Sequence, residues 1–208
     1  MRLTTIFLSG LALLASSVPC LAQIPGPTAT ETSTASHLTE SVLLYESGDF
    51  EGSLFSAREA LRLLNQNSAI AYNNICAAHL RLEQYELAIE ACHNSLKLAP
   101  EFKRARNNLE WIYETLAGMN PSVAVYLNLG ELRYRRGAFE ESIAASKRAL
   151  EIDPGSAIAH NNLCAALAAS GMWSQAVAEC EVALAIDPEY KLARSNMIWA
   201  RSGESDSP

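Results

Sequence analysis

The chain has 208 residues, of which 49% are apolar and 7% aromatic, so it can bury the core of one or two domains. Alanine and leucine supply much of the apolar bulk, a balance that favours closely packed helices over a β-sandwich. The formal net charge is −7, whereas a protein that neutralises phosphates needs a positive surface. We therefore do not expect nucleic acid as a partner.

Residues 1–22 have the pattern of a secretory signal peptide. Arg2 precedes an apolar run over residues 6–15, and small residues precede Ala22, which are the three regions of such a leader. The run is shorter than the ~20 residues that a membrane span requires. We expect cleavage after Ala22, export to the periplasm or the medium, and no membrane span in the mature chain; lipidation at Cys20 is the alternative.

Residues 23–36 are rich in threonine, proline and serine and contain almost no large apolar side chain. Such a segment cannot bury enough surface to offset the entropy lost on ordering. We expect a flexible linker here, and a disordered tail over residues 202–208 for the same reason.

The rest of the chain repeats itself. Residues 68–111 align with residues 156–199 at an offset of 88 residues, with 19 of 44 positions identical. Upstream, Gly48 aligns with Gly137 at an offset of 89. One residue is therefore inserted between these segments, and we place it in the turn over residues 65–68, where an insertion costs little.

Each half contains a finer period of about 34 residues. An aromatic residue opens a helix, a small residue follows three positions later, and a proline ends three of the four helices. The aromatic residues are Phe50, Tyr85, Phe139 and Trp173; the small ones are Ser53, Ala88, Ser142 and Ala176; the prolines are Pro100, Pro154 and Pro188. The small residue lets a second helix approach closely, and the proline separates one hairpin from the next.

This pattern resembles the tetratricopeptide (TPR) repeat, most closely over residues 126–154. The resemblance implies an all-α solenoid of helical hairpins, with four repeats at about 34–67, 69–102, 123–156 and 157–190. Two further helices, 103–119 and 191–201, look like caps that cover the exposed apolar face of a terminal repeat. The expected units are residues 37–119 and 122–201, each a pair of repeats with its cap; whether they form one superhelix stays open.

Four cysteines follow the predicted leader, and they fall at the same two places in the second and fourth hairpins: Cys76, Cys92, Cys164 and Cys180. Three pairings are formally available, and the internal symmetry selects Cys76 with Cys92 and Cys164 with Cys180. In an oxidising compartment each disulfide would stabilise the fold by ~3 kcal/mol. Free thiols that fill small core sites are the alternative.

The resemblance also implies a binding groove lined by the first helix of each hairpin. Asparagine recurs on these helices. One equivalent position holds Asn74, Asn108, Asn128, Asn162 and Asn196, and the position before it holds Asn73 and Asn161. A carboxamide both donates and accepts, so such a row can pair with the backbone of an extended peptide; alternatively, each asparagine bonds a neighbouring helix and supports stacking.

Three further residues are candidates for the same groove. Chaperone-binding members of the family grip a carboxylate with basic residues on successive first helices; by the resemblance, Arg104 keeps one of these basic positions, whereas Leu38 and Leu127 stand where the first lysine would be, so the clamp is incomplete. Trp111 and Trp199 recur on the two caps, either as exposed anchors for a ligand or buried at the end of each half, which is the default expectation.

No motif of a catalytic site occurs in the sequence: there is no Gly-rich phosphate loop, no Gly-x-Ser-x-Gly and no His-Glu-x-x-His. We expect a non-catalytic adaptor without cofactor or metal that binds a protein or an extended peptide. Two alternatives remain, a thiol redox or metal-binding protein that uses the cysteine pairs, and a recognition subunit of an envelope enzyme complex. The oligomeric state is left open.

Overall fold

The computed structural model describes residues 29–205, which form ten α-helices and no strand. The helices are α1 (Ala29–Ser47), α2 (Phe50–Leu63), α3 (Ala69–Arg81), α4 (Tyr85–Leu98), α5 (Lys103–Met119), α6 (Val123–Arg135), α7 (Phe139–Ile152), α8 (Ala157–Ala169), α9 (Trp173–Ile186) and α10 (Lys191–Ser205). The predicted all-α fold with ten helices is confirmed for this part of the chain. The predicted signal peptide, the start of the linker and the end of the tail lie outside the described residues.

Eight of the helices form four hairpins, α1/α2, α3/α4, α6/α7 and α8/α9, and two hairpins stack in each half. Helices α1, α3 and α5 lie side by side in the first half, as α6, α8 and α10 do in the second. The remaining helices form the opposite layer. Each half is thus two repeats followed by one additional helix, as the sequence predicts.

The turn inside each hairpin needs one residue in the left-handed region. Gly48, Gly137 and Gly171 occupy it with φ of 75° to 87°, and in the second hairpin Glu83 does so at φ 57°. Glycine adopts this conformation without steric cost. The inserted residue also lies where the alignment places it, in the turn before α3, where Asn65 and Gln66 both have positive φ.

Small residues bring the helices of a hairpin together. The Ser53 hydroxyl donates to the Ser41 carbonyl oxygen at 2.8 Å, and the Ser142 hydroxyl donates to the Gly130 carbonyl oxygen at the same distance. A ring pair closes the same two hairpins near the turn, with centroids 5.4 Å apart for Tyr45–Phe50 and 5.5 Å apart for Tyr134–Phe139. These equivalent contacts establish that α1 and α6 correspond residue by residue.

The cysteines occupy equivalent places in the second and fourth hairpins. Cys76 on α3 faces Cys92 on α4 with Cα atoms 5.2 Å apart, and Cys164 on α8 faces Cys180 on α9 with Cα atoms 5.4 Å apart. The sulfurs of each pair are at bonding distance, and all four side chains are fully buried.

Two boundaries differ from the expectation. Residues 29–36, expected in the flexible linker, form the first two turns of α1. The expectation of a flexible linker, based on composition, is wrong for these residues, because no glycine or proline interrupts residues 29–47 and the Thr34 side chain is buried. Likewise α10 continues past Arg201 to Ser205, since the Ser174 hydroxyl donates to Glu204 Oε1 at 2.6 Å and Gly203 lies directly on the Trp173 ring.

The two halves meet where α5 packs against α6. Leu129 of α6 belongs to the core of the first half, and Val125 and Leu132 pack against it. The α5 helix is therefore covered on both sides, by α3 and α4 on one and by α6 on the other. It does not end a solenoid as a terminal cap would.

No helix within residues 29–205 is both long and apolar enough to cross a bilayer. In the same range no group of three or more histidine, cysteine or acidic side chains is arranged to hold a metal ion.

Candidate binding groove

Two cavities lie along the layer formed by α1, α3 and α5. The smaller, of about 140 Å³, is lined by Ser41, Val42, Tyr45, Ser53, Asn73, Asn74, Ala77 and Arg104. The larger, of about 530 Å³, is lined by Tyr45, Leu80, Arg81, Glu83, Tyr85, Asn107, Asn108 and Trp111. Tyr45 lines both, so the two cavities are neighbouring parts of one groove, which we call the first-half groove.

Asn74 carries the unsatisfied donor of this groove. Its Nδ2 is buried and has no hydrogen-bond partner in the described part of the protein. A buried donor without a partner costs about 1–3 kcal/mol. Because Asn74 lines the smaller cavity, an acceptor on a ligand seated there would remove that cost.

The other asparagines have partners, and the partners explain their recurrence. Asn108 Nδ2 donates to Asn73 Oδ1 at 3.2 Å across α5 and α3, and Asn196 Nδ2 donates to Asn161 Oδ1 at 2.9 Å across α10 and α8. Asn128 donates to the Ala124 carbonyl oxygen of its own helix. The recurrent asparagines thus mostly join neighbouring first helices, and the open donor at Asn74 distinguishes it.

The two tryptophans differ from the default expectation of burial. Trp111 is 50% exposed and lines the larger cavity. Trp199 is 38% exposed, and its ring packs edge to face on Trp173 with centroids 6.0 Å apart. Tyr85 stands at the place of Trp173, and both Tyr85 and Trp111 line the larger cavity, where half of the indole is accessible to a ligand.

Charge also distinguishes the two halves. Arg104 is exposed beside the smaller cavity and forms no ion pair within residues 29–205, whereas Leu192 takes its place on α10. Arg81 lines the larger cavity, and its guanidinium lies 4.9 Å from the centroid of the Phe50 ring. The first half therefore combines an open amide donor, a free cation and an exposed indole, a combination that the second half lacks at the equivalent positions.

Most of the residues that line this groove were not predicted from the sequence, and two of them carried a signal that could have been used. Tyr45 lines both cavities, and its recurrence as Tyr134 in the internal alignment was the available signal. Asn107 lines the larger cavity; it precedes Asn108 as Asn73 precedes Asn74, but Ser195 replaces it on α10. Of the predicted residues, Asn128, Asn161, Asn162, Asn196 and Trp199 lie outside the two cavities.

Hairpins of this length, stacked in register and presenting one layer of helices, define a helical-repeat scaffold with a groove along one face. Three sequence profiles described as tetratricopeptide repeat match residues 69–102, 101–157 and 133–197. Together they span residues 69–197, well over half of the chain. The protein belongs to the tetratricopeptide repeat family.

Among curated proteins, the chain is similar to small glutamine-rich tetratricopeptide repeat-containing protein 2 of Saccharomyces cerevisiae, at 28% identity over 105 residues. The protein of the same name in Mycosarcoma maydis is 24% identical over 103 residues. Each match covers 50% of this chain and 24% of the relative, so the similarity spans about a quarter of those proteins. Among solved structures, a thermophilic TPR protein of Thermus thermophilus is 18% identical, with a TM-score of 0.44 over 81% of this chain and 99% of its own.

Proposed function

We propose that the protein is a non-catalytic adaptor that binds an extended segment of a partner protein in the first-half groove. The observation that supports this most directly is the buried Asn74 Nδ2, which has no partner within residues 29–205, on a side chain that lines the smaller cavity. A backbone carbonyl of an extended peptide is the acceptor that such a donor fits, whatever the sequence of the peptide. Membership of a family whose proteins generally mediate protein–protein interactions agrees with this proposal.

Trp111 and Tyr45 would supply the apolar part of the binding energy. A half-exposed indole beside a cavity is the type of side chain that dominates binding energy at interfaces. The adjacent Arg104, exposed and unpaired among the described residues, favours a ligand that carries a carboxylate near its contact with α5. Binding would then rest on one aromatic anchor, one cation and a few backbone hydrogen bonds.

We also propose that the chain is exported and that both cysteine pairs are oxidised, structural bridges. Support comes from the leader-like pattern of residues 1–22 and from the short Cα–Cα separations in the two hairpins. Thiol–disulfide exchange requires that a sulfur be accessible to attack, and all four cysteines are fully buried. This opposes the redox alternative. Mass spectrometry of the native protein should find a chain that starts at Gln23.

The groove proposal is tested by selecting binders from a library of random peptides displayed on phage. The affinity of a selected peptide is then measured by fluorescence anisotropy. Asn74→Ala should weaken binding by about two- to tenfold, because a net hydrogen bond contributes ~0.5–1.5 kcal/mol. Trp111→Ala should weaken it by at least ~30-fold, as expected for an anchor worth ~2 kcal/mol or more.

Asn162→Ala is the matched control, since Asn162 holds the position of Asn74 in the second half. It should leave the affinity unchanged. Thermal unfolding of each variant separates loss of binding from loss of fold. An Asn74→Ala variant that binds as well as the wild type, or an equal loss in Asn162→Ala, would contradict the proposed groove.

A further inference from the structure

The first and last described helices, α1 and α10, are equivalent in the internal repeat to α6 and α5, the two helices that pack against each other at the centre of the solenoid. Helix α1 matches α6 at an offset of 89 residues, and α10 matches α5 at an offset of 88. The ring pairs and the asparagine bonds recur at the same positions in both halves. The outer faces of α1 and α10 are thus the counterparts of the two faces that meet between α6 and α5, and within residues 29–205 no other helix packs on them.

At the centre this contact is built on a charged cluster. Glu110 of α5 is only 8% exposed. Its Oε1 accepts from Arg133 Nε at 3.3 Å and its Oε2 lies 3.1 Å from Arg136 Nη1, while Glu114 accepts from Arg133 at 2.6 Å. Beside the cluster, Leu132 packs against the core of the first half. The central contact therefore joins acidic groups on α5 to basic groups on α6 around an apolar strip.

At the two ends, two of the four charged positions are apolar, one on each side, and the other two, those of Glu114 and Arg136, hold Ser202 and Ser47. Ile198 stands at the position of Glu110 and is 67% exposed. Leu44 stands at the position of Arg133, and Leu43, which is 60% exposed, at that of Leu132. In the central contact, the Glu110 carboxylate on α5 faces the Arg133 guanidinium on α6. At the two ends, both partners of this ion pair are replaced by apolar residues, Ile198 on α10 and Leu44 on α1.

The surrounding charges are also complementary, with the opposite polarity to the centre. Helix α1 carries Glu40 and Glu46 and no lysine or arginine. Helix α10 carries Lys191, Arg194 and Arg201 against a single glutamate. A cap that ends a solenoid normally presents a polar outer face, yet Ile198 is exposed on α10. The C-terminal face therefore suits an acidic, partly apolar helix, and α1 of another molecule is such a helix.

We propose that α1 of one molecule docks on α10 of a second in the way that α6 docks on α5, so that copies of this chain associate head to tail. Ile198 of one copy would contact Leu43 and Leu44 of the next, and the arginines of α10 would lie near the glutamates of α1. Such a contact is heterologous, so a dimer keeps one unused face of each kind and assembly continues beyond the dimer, to a ring or to a filament. It also leaves the first-half groove of each copy available, and it does not depend on the proposed peptide ligand.

Sedimentation velocity of the full chain over a wide range of concentrations tests the proposal. The wild type should sediment faster as its concentration rises. Leu43→Arg and Ile198→Arg should each remain monomeric, because each places a guanidinium in the apolar strip. Phe55→Arg is the matched control, since Phe55 is an exposed apolar side chain on α2, outside both faces; it should associate like the wild type. Circular dichroism verifies that all variants are folded.

Mixing the two deficient variants distinguishes head-to-tail from symmetric association. The Leu43→Arg chain keeps an intact α10 face, and the Ile198→Arg chain keeps an intact α1 face. Their equimolar mixture should form dimers and no larger species. A wild type that stays monomeric at every concentration, single variants that still associate, or a mixture that stays monomeric would each overturn the proposal. All variants share the sequence that precedes α1, so association through that segment would persist in both single variants.

Discussion

Neighbouring asparagines on the first helices have different roles because of helix geometry. Asn73 and Asn74 are one residue apart, which is about 100° around the helix axis. Asn73 is buried and accepts from Asn108 on the next first helix, whereas Asn74 lines a cavity and its Nδ2 has no partner among the described residues. The same residue type thus supports stacking at one position and leaves an open donor at the next.

The stacking role predicts a loss of stability for Asn196→Ala. Asn161 is 1% exposed, and its Oδ1 accepts from Asn196 Nδ2. Removing that donor leaves a buried acceptor unpaired and should lower the free energy of unfolding by about 1–3 kcal/mol. Chemical denaturation measures the change. Asn128→Ala is the control, because Asn128 bonds only within its own helix and alanine is the better helix former; an equal loss there would refute the assignment.

Each cysteine-bearing hairpin shows how one packing rule acts on a whole element. Small residues allow α3 to approach α4 and α8 to approach α9, and this places the paired Cα atoms within the range that a disulfide spans. The bond would tie the two helices of a hairpin together. It would add nothing to the contact between hairpins.

If the pairs are oxidised, reduction should destabilise the protein. Each pair would close a loop between residues 16 apart, for which the loss of unfolded-state entropy corresponds to ~3 kcal/mol. Dithiothreitol should therefore lower the melting temperature. A double variant with Cys164→Ala and Cys180→Ala should show about half of the response. Four free thiols in the protein denatured without reductant would contradict this prediction.

The contact between α5 and α6 makes the two halves one body. Beside the charged cluster, Tyr113 of α5 is buried near Glu131 of α6. Burial first, and then the Glu131 carboxylate, raises the pKa of the Tyr113 hydroxyl above its ordinary value. The Tyr113 hydroxyl therefore stays neutral into the alkaline range, and the Glu131 carboxylate is not repelled by a phenolate.

The charged cluster at this junction is expected to matter for the stability of the whole molecule. Glu110→Ala would leave Arg133 and Arg136 without their shared, buried carboxylate. The free energy of unfolding should fall by about 1–3 kcal/mol, since a charged group loses its main buried partner. Urea denaturation measures this loss. Glu151→Ala is the comparison, because Glu151 and Arg148 are both exposed and such pairs contribute ~0–1 kcal/mol; equal effects would show that the cluster is not special.

The sequence by itself determined the repeat number, the ten helices, the place of the inserted residue and the fold class. These follow from aromatic, small and proline residues that recur with a fixed period, and such local signals specify where a helix begins and which face approaches its neighbour. Composition was a poorer guide for residues 29–36, because a segment with little apolar bulk still continues a helix when nothing interrupts it.

The tertiary structure alone decided which equivalent residues are exposed. Glu110 and Ile198 hold the same position, and one is buried because α6 packs on α5 whereas the other faces outward because no described helix packs on that side of α10. Asn74 and Trp111 differ from their counterparts in the second half for the same reason. Asn162 accepts a hydrogen bond from Asn161, and Trp199 packs on Trp173. Periodicity describes a helix and its own hairpin, but exposure depends on contacts between segments far apart in the chain.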